Sequence, residues 1–184
     1  MIGAREGEGA RLGIILWDSW PGGGKFSGKS LIYVSICDIR FMATQATYED
    51  ANLILRLYEI RREDKMRAAR SWFASSFRPK TIEEMNEMAA PGTPENAQMR
   101  QVTSYFEMVA SFINSGVLNK ELYFQTGGEL LLTYIRIRAI LPAMREAFKN
   151  PQSFKNLELV GEDYLVWFDQ KGPGAKDAII GRMS

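Results

Sequence analysis

Thirty consecutive residues, 48–77, contain neither glycine nor proline and carry apolar side chains at helical spacing, so the rest of the chain has to be read as what packs against them. Leu53, Leu57 and Ile60 fall at i, i+4 and i+7, and Met66, Ala69, Trp72 and Phe73 continue the stripe. It drifts slowly around the cylinder, as a 3.6-residue period requires. One face is therefore built for a core. Thr47 suits the N-cap, with Glu49 and Asp50 in the first turn, where free N–H groups and the helix dipole favour carboxylates. Pro79 disfavours helical backbone at Arg78, so the pattern predicts one helix ending near Phe77. At 1.5 Å per residue it would be about 45 Å long.

Downstream the same grammar repeats. Thr81 with Glu84 forms the pattern of a capping box for a short helix to about Met88, closed by Pro91 and Gly92. Thr93 caps a third helix with Pro94 at its first position, where a missing N–H costs nothing. Met99, Val102, Phe106, Val109 and Ile113 then step by three and four, and Gly116 stands where a left-handed C-terminal cap belongs. Asn119 caps a short turn through Tyr123, and residues 126–128 break the chain before a helix from Glu129. Leu130, Leu131, Tyr134, Ile137, Ile140 and Leu141 make that helix apolar over much of its circumference, which predicts a central place, and Pro142 kinks or divides it. Met144, Ala147 and Phe148 extend its pattern to Asn150-Pro151. Ser153 is the expected cap of a last helix carrying Leu157, Val160, Tyr164, Trp167 and Phe168. These readings predict an all-α fold, a single helical bundle of about five helices over residues 47–170. Residues 1–46 read as an irregular, glycine-rich N-terminal extension and residues 171–184 as a mobile tail.

The middle of the first helix is densely charged. Arg61, Arg62, Lys65, Arg67 and Arg70 form a basic ridge with Glu63 and Asp64 among them, flanked by Trp72 and Phe73. As a solvated face the run supports itself through Glu63–Arg67 and Glu59–Arg62 pairs, each contributing roughly 0.2–0.5 kcal/mol. As a site, the ridge over residues 61–78 could meet phosphates of a nucleic acid or an acidic partner. Glu59, Glu63, Glu129 and Glu158 lie on helices and could converge, but ion pairing with Arg56, Arg136 or Arg145 explains them more simply. Trp72, Phe73, Tyr105 and Phe106 are expected in the core.

What is missing excludes chemistry. The chain has no histidine, which removes the usual general base, Ser/Cys–His nucleophiles and His-ligated metal sites on helical bundles. Its single cysteine, Cys37, allows neither an internal disulfide nor a multi-cysteine metal site and suits a reducing cytoplasm. No apolar run approaches a membrane span. Lys and Arg number 23 against 22 Asp and Glu, so no global field draws the chain to nucleic acid or anionic lipid.

Residues 23–30 match the phosphate-loop pattern, with Gly23, Gly28, Lys29 and Ser30 at its defining positions. Lys29 would reach the terminal phosphates and Ser30 would hold magnesium. Residues 12–17 could serve as the preceding strand, and residues 165–169 imitate the acid-terminated strand that steadies the metal. The setting argues otherwise, because such loops sit in parallel sheets of βαβ units, whereas residues 48–160 show helix caps and 3.6-residue periods throughout. A glycine-rich coil is the simpler reading, and no cofactor is expected.

The segments NLILRLYEIRREDKMRAARSWF, ENAQMRQVTSYFEMVASFINSGVLNKELYF and ILPAMREAFKNPQSFKNLELV together resemble a family of small bacterial helical proteins known only as a domain of unknown function. The likeness covers roughly residues 48–167 and rests on the order and wording of helices. It implies an all-α fold and a bacterial source, and brings no activity and no site residues. Residues 1–41 lie outside it. The sequence thus points to a non-enzymatic, cytoplasmic helical domain acting through protein contacts, as a homo-oligomer or a membrane-associated adaptor. Nucleic-acid binding through the ridge and nucleotide binding at Lys29 are the alternatives.

Overall fold

The computed structural model describes residues 45–184. The expected N-terminal extension, with Cys37 and the phosphate-loop residues Gly23, Gly28, Lys29 and Ser30, falls almost wholly outside them. Among the described residues there are nine α-helices and no strand. They are α1 (Tyr48–Arg61), α2 (Asp64–Ser76), α3 (Ile82–Met88), α4 (Pro94–Asn114), α5 (Lys120–Phe124), α6 (Gly128–Ile137), α7 (Leu141–Ala147), α8 (Lys155–Asp169) and α9 (Ala175–Met183). The all-α expectation holds, but the count of about five is corrected to nine.

Four differences account for the change, one being that the short turn expected after Asn119 is the helix α5. The continuous helix over residues 48–77 is two helices, because Arg62 and Glu63 leave the ladder and Glu63 takes an extended ψ of 139°. No apolar side chain stands between Ile60 and Met66 to hold that turn against the core. Pro142 divides rather than kinks, ending α6 at Ile137 and standing in the first turn of α7. Residues read as a mobile tail carry α9, anchored by the buried Ile179.

The caps follow the sequence closely until α8. Thr47 Oγ1 accepts the Asp50 N–H at 3.2 Å while Asp50 accepts the Thr47 N–H at 2.8 Å, a complete capping box. Asp50 also accepts the Asn119 N–H at 2.6 Å, and these hydrogen bonds hold its carboxyl below the ordinary carboxylate value. Thr81 caps α3, but Glu84 accepts from the Lys80 N–H rather than from Thr81. Thr93 and Asn119 cap α4 and α5 as expected, and Gly116 adopts φ +74°. Ser153 does not cap α8. The preceding turn is left-handed at Phe154, φ +54°, and the free N–H groups of Asn156 and Leu157 donate instead to Glu107 of α4, at 3.2 and 2.8 Å. A carboxylate from another helix thus satisfies the dipole end of α8. Glu107→Ala is expected to lower stability by about 1–2 kcal/mol, read as a shifted urea midpoint, with Glu107→Gln between it and the parent. An unchanged midpoint in the alanine variant would reject this cap.

Helix α4 forms the centre. α2 packs along it on one side and α8 on another, α6 lies against both α4 and α8, and α9 closes over α8 and α6. The stripe Met99, Val102, Phe106, Val109 and Ile113 is buried throughout, as are Leu130, Leu131, Tyr134, Ile137, Ile140 and Leu141. Each such side chain contributes roughly 1.5–3 kcal/mol of apolar burial. Phe73 stacks on Phe77 with ring centres 4.8 Å apart, and Tyr164 lies flat against Phe124 at 4.0 Å. Ala147 and Phe148, read as core, are exposed, because α7 ends there and its last turn leaves the bundle. Gly161 lets α8 approach the Tyr134 ring of α6, which a side chain at 161 would overlap.

Candidate anion-binding cleft

The break between α1 and α2 gathers charge. In a continuous helix Arg61 and Arg70, nine residues apart, would stand about half a turn out of phase and roughly 13 Å apart along the axis. Bending the chain at Arg62 and Glu63 turns both toward Glu129, in the first turn of α6. Arg70 Nε donates to Glu129 Oε2 at 2.6 Å, its Nη2 donates to Oε1, and Arg61 Nη2 lies 2.7 Å from Oε1. Arg70 also donates to the Arg61 carbonyl at 3.0 Å, tying the end of α1 to α2. Burial by itself would raise the Glu129 carboxyl, but the Arg70 hydrogen bonds and the two guanidinium charges outweigh it and hold it below the ordinary value. The Arg70 guanidinium is raised in turn, chiefly by its hydrogen bond to Glu129. Tyr105 donates to the Leu57 carbonyl at 2.8 Å, and burial pushes its phenol up to about 12.

Of the five ridge residues, the structure brings only Arg61 and Arg70 together. Arg62, Lys65 and Arg67 are exposed, and Arg67 pairs with Asp64. The expected Glu63–Arg67 and Glu59–Arg62 pairs are replaced by Asp64–Arg67 and Arg56–Glu59. Glu158 meets Arg145 of α7 at 3.1 Å, one of the expected partners, and also Lys155 of its own helix at 2.7 Å. Glu129 does not meet Arg136. Phe73, Tyr105 and Phe106 are buried, and Trp72 packs half-buried against the core. Among the described residues no group of three or more acidic, cysteine or histidine side chains could hold a metal ion. No helix among them is long and apolar enough to cross a membrane.

Arg136, expected from the sequence only as an ion-pair partner of a helix acid, meets no acid among the described residues. Gly128, Glu129, Leu132 and Arg136 share one face of α6, and that face floors a cleft of ≈ 490 Å³ walled by Arg61, Arg78 and Arg182. Arg136 retains only 4% of its exposure, and its one hydrogen bond runs from Nη2 to the Ala74 carbonyl at 3.4 Å. Its Nε and Nη1 are buried and have no acceptor among the described residues. Burial first, and the neighbouring Arg78 charge second, lower its guanidinium from its ordinary value. Arg78 itself donates one long hydrogen bond, 3.4 Å, to the backbone oxygen of Ser184, the last residue, and stays exposed, as does Arg182. The first turn of α6 opens toward the same cleft, and Gly127 supplies no side-chain acceptor for it. Arginines and a helix N-terminus facing one space make a positive site that can hold an anion by charge and by directed N–H groups. The sequence carried one signal for it, Arg136 and Arg138 interrupting the mostly apolar run LLLTYIRIRAIL.

No curated protein and no solved structure matches the chain. A family model described as a domain of unknown function, DUF4760, matches residues 46–164, the stretch on which the resemblance rested. That span is the larger part of the chain, which therefore belongs to the DUF4760 family, a domain of unknown function.

Proposed function

We propose that this chain is a non-enzymatic, cytoplasmic protein-interaction domain whose docking point is the arginine cleft between α1, α2, α6 and α9. The observation that carries the reading is Arg136, a buried guanidinium with two N–H positions unanswered among the described residues, on a residue that lines a cleft already holding three more arginines. A buried charge without a partner is costly, and an anionic group brought by a partner offsets that cost on binding. Glu129 does not fill the role, being engaged by Arg61 and Arg70. The inward turn of those two arginines also removes them from the surface ridge, leaving Arg62, Lys65 and Arg67 as its outward cations. The test compares the full chain with an Arg78→Glu/Arg182→Glu variant, both positions being exposed. Affinity capture should retain a protein on the parent that the variant loses at equal folded content, and light scattering should show whether a second copy is that partner. A strict monomer with identical capture by both chains would reject the reading.

A further inference from the structure

Among the described residues, Arg136 and Arg182 in the cleft have no carboxylate against them, and Arg78 meets only the backbone oxygen of Ser184, the last residue, at 3.4 Å. The only acidic side chain lining the same cleft among the described residues, Glu129, is taken by Arg61 and Arg70. The groups differ in burial: Arg136 is fixed in the floor, while Arg78 and Arg182 are exposed at the rim and able to swing. A carboxylate brings a single negative charge, so even where two guanidinium groups share one, as Arg61 and Arg70 share Glu129, positive charge remains in excess. A phosphate monoester carries about −1.5 to −2 charge near neutral pH on three oxygens, enough to engage three guanidinium groups at once. Its charge also matches the local excess better, since one carboxylate would leave two cations facing each other. We infer that Arg136, together with Arg78 and Arg182, forms a binding site for a phosphate monoester group. The inference rests on reading the cleft as the docking point and narrows it to one chemistry, with Arg136 as the buried anchor and the two rim arginines closing on the oxygens. The volume of the cleft, ≈ 490 Å³, exceeds a single phosphoryl group and leaves room for what carries it.

The experiment titrates the full chain with inorganic phosphate, phenyl phosphate and paired phosphoserine and glutamate peptide libraries, against chloride at equal ionic strength. Thermal melting and calorimetry are the readouts. Phosphate compounds should raise the melting temperature where chloride does not. Arg182→Ala, at an exposed position that cannot unfold the domain, should weaken binding about tenfold or more. Arg136→Met should raise the melting temperature of the free protein, by removing a buried unpaired charge, and abolish the phosphate-induced shift. Tighter binding of the phosphopeptides than of phenyl phosphate supports the site and places the group on a protein. Equal binding supports the site and places it on a small compound. Phosphate binding without arginine-dependent protein capture supports the site and overturns the docking role. Glutamate peptides binding as well as phosphoserine ones would overturn the inference and leave the docking reading intact. So would a phosphate response that chloride reproduces or that survives in both arginine variants.

Discussion

Glu129→Ala is expected to destabilise the domain by about 3 kcal/mol, toward the lower end for a broken buried ion pair because the carboxylate keeps a third of its exposure. The loss exceeds a surface pair's for a geometric reason. One carboxylate serves Arg61 and Arg70 from two helices, and its removal leaves two largely buried cations facing each other beside Arg136. The bend at Arg62 and Glu63 loses its tether at the same time. Urea unfolding measures the loss, and a change under about 1 kcal/mol, the range of an exposed pair, would show that the network is not structural. Replacing Arg61, Arg70 and Glu129 together by methionine should recover much of the loss, since no charge of the network is then stranded. The pH dependence follows from the direction of the shift. With the folded Glu129 carboxyl below its ordinary 4.5, its contribution is complete above that pH and fades as pH falls through the lower folded value. Glu129→Gln should therefore flatten the acid limb of the stability profile, to which Asp50 and Glu158, lowered by their own hydrogen bonds, also contribute.

The second large effect is expected at Gly161. On an isolated helix Gly→Ala gains about 1 kcal/mol, yet here a Cβ would lie 2.2 Å from Tyr134 Cγ and 2.8 Å from Tyr134 Cβ, inside the side chain. Tyr134 is buried, and its hydroxyl donates to Glu162, so the ring cannot retreat without giving up both packing and that hydrogen bond. Gly161→Ala should cost at least about 2 kcal/mol net, seen as a lower melting temperature. In a Tyr134→Ala background the same change should stabilise, because the obstruction is gone and only helix propensity remains. A destabilisation of equal size in both backgrounds would mean that the ring is not the cause.

Local rules read from the sequence located most helix ends. Thr47, Thr93 and Asn119 cap where their side chains reach the first free N–H groups, and Pro94 and Gly116 mark a start and a stop through constraints internal to a few residues. The apolar stripes of α4 and α6 are likewise legible, since a 3.6-residue period requires no knowledge of the partner. The single long helix was a misreading of a different kind. Periodicity continues across residues 61–65 only because charged side chains impose no phase, and nothing local says that Glu129 will draw Arg61 and Arg70 inward.

The sequence by itself determined that the chain is helical, which faces are apolar, and which common chemistries its missing histidines exclude. Only the tertiary structure decided where α1 stops, that Glu107 rather than Ser153 serves α8, and that α9 covers residues 175–183. It alone decided that Arg136 lies buried without an acceptor while Arg182, far away in the chain, lines the same cleft. The reason is physical: caps and periods are set by neighbours within one turn, whereas the cost and the pairing of a buried charge depend on groups that meet only after the helices pack.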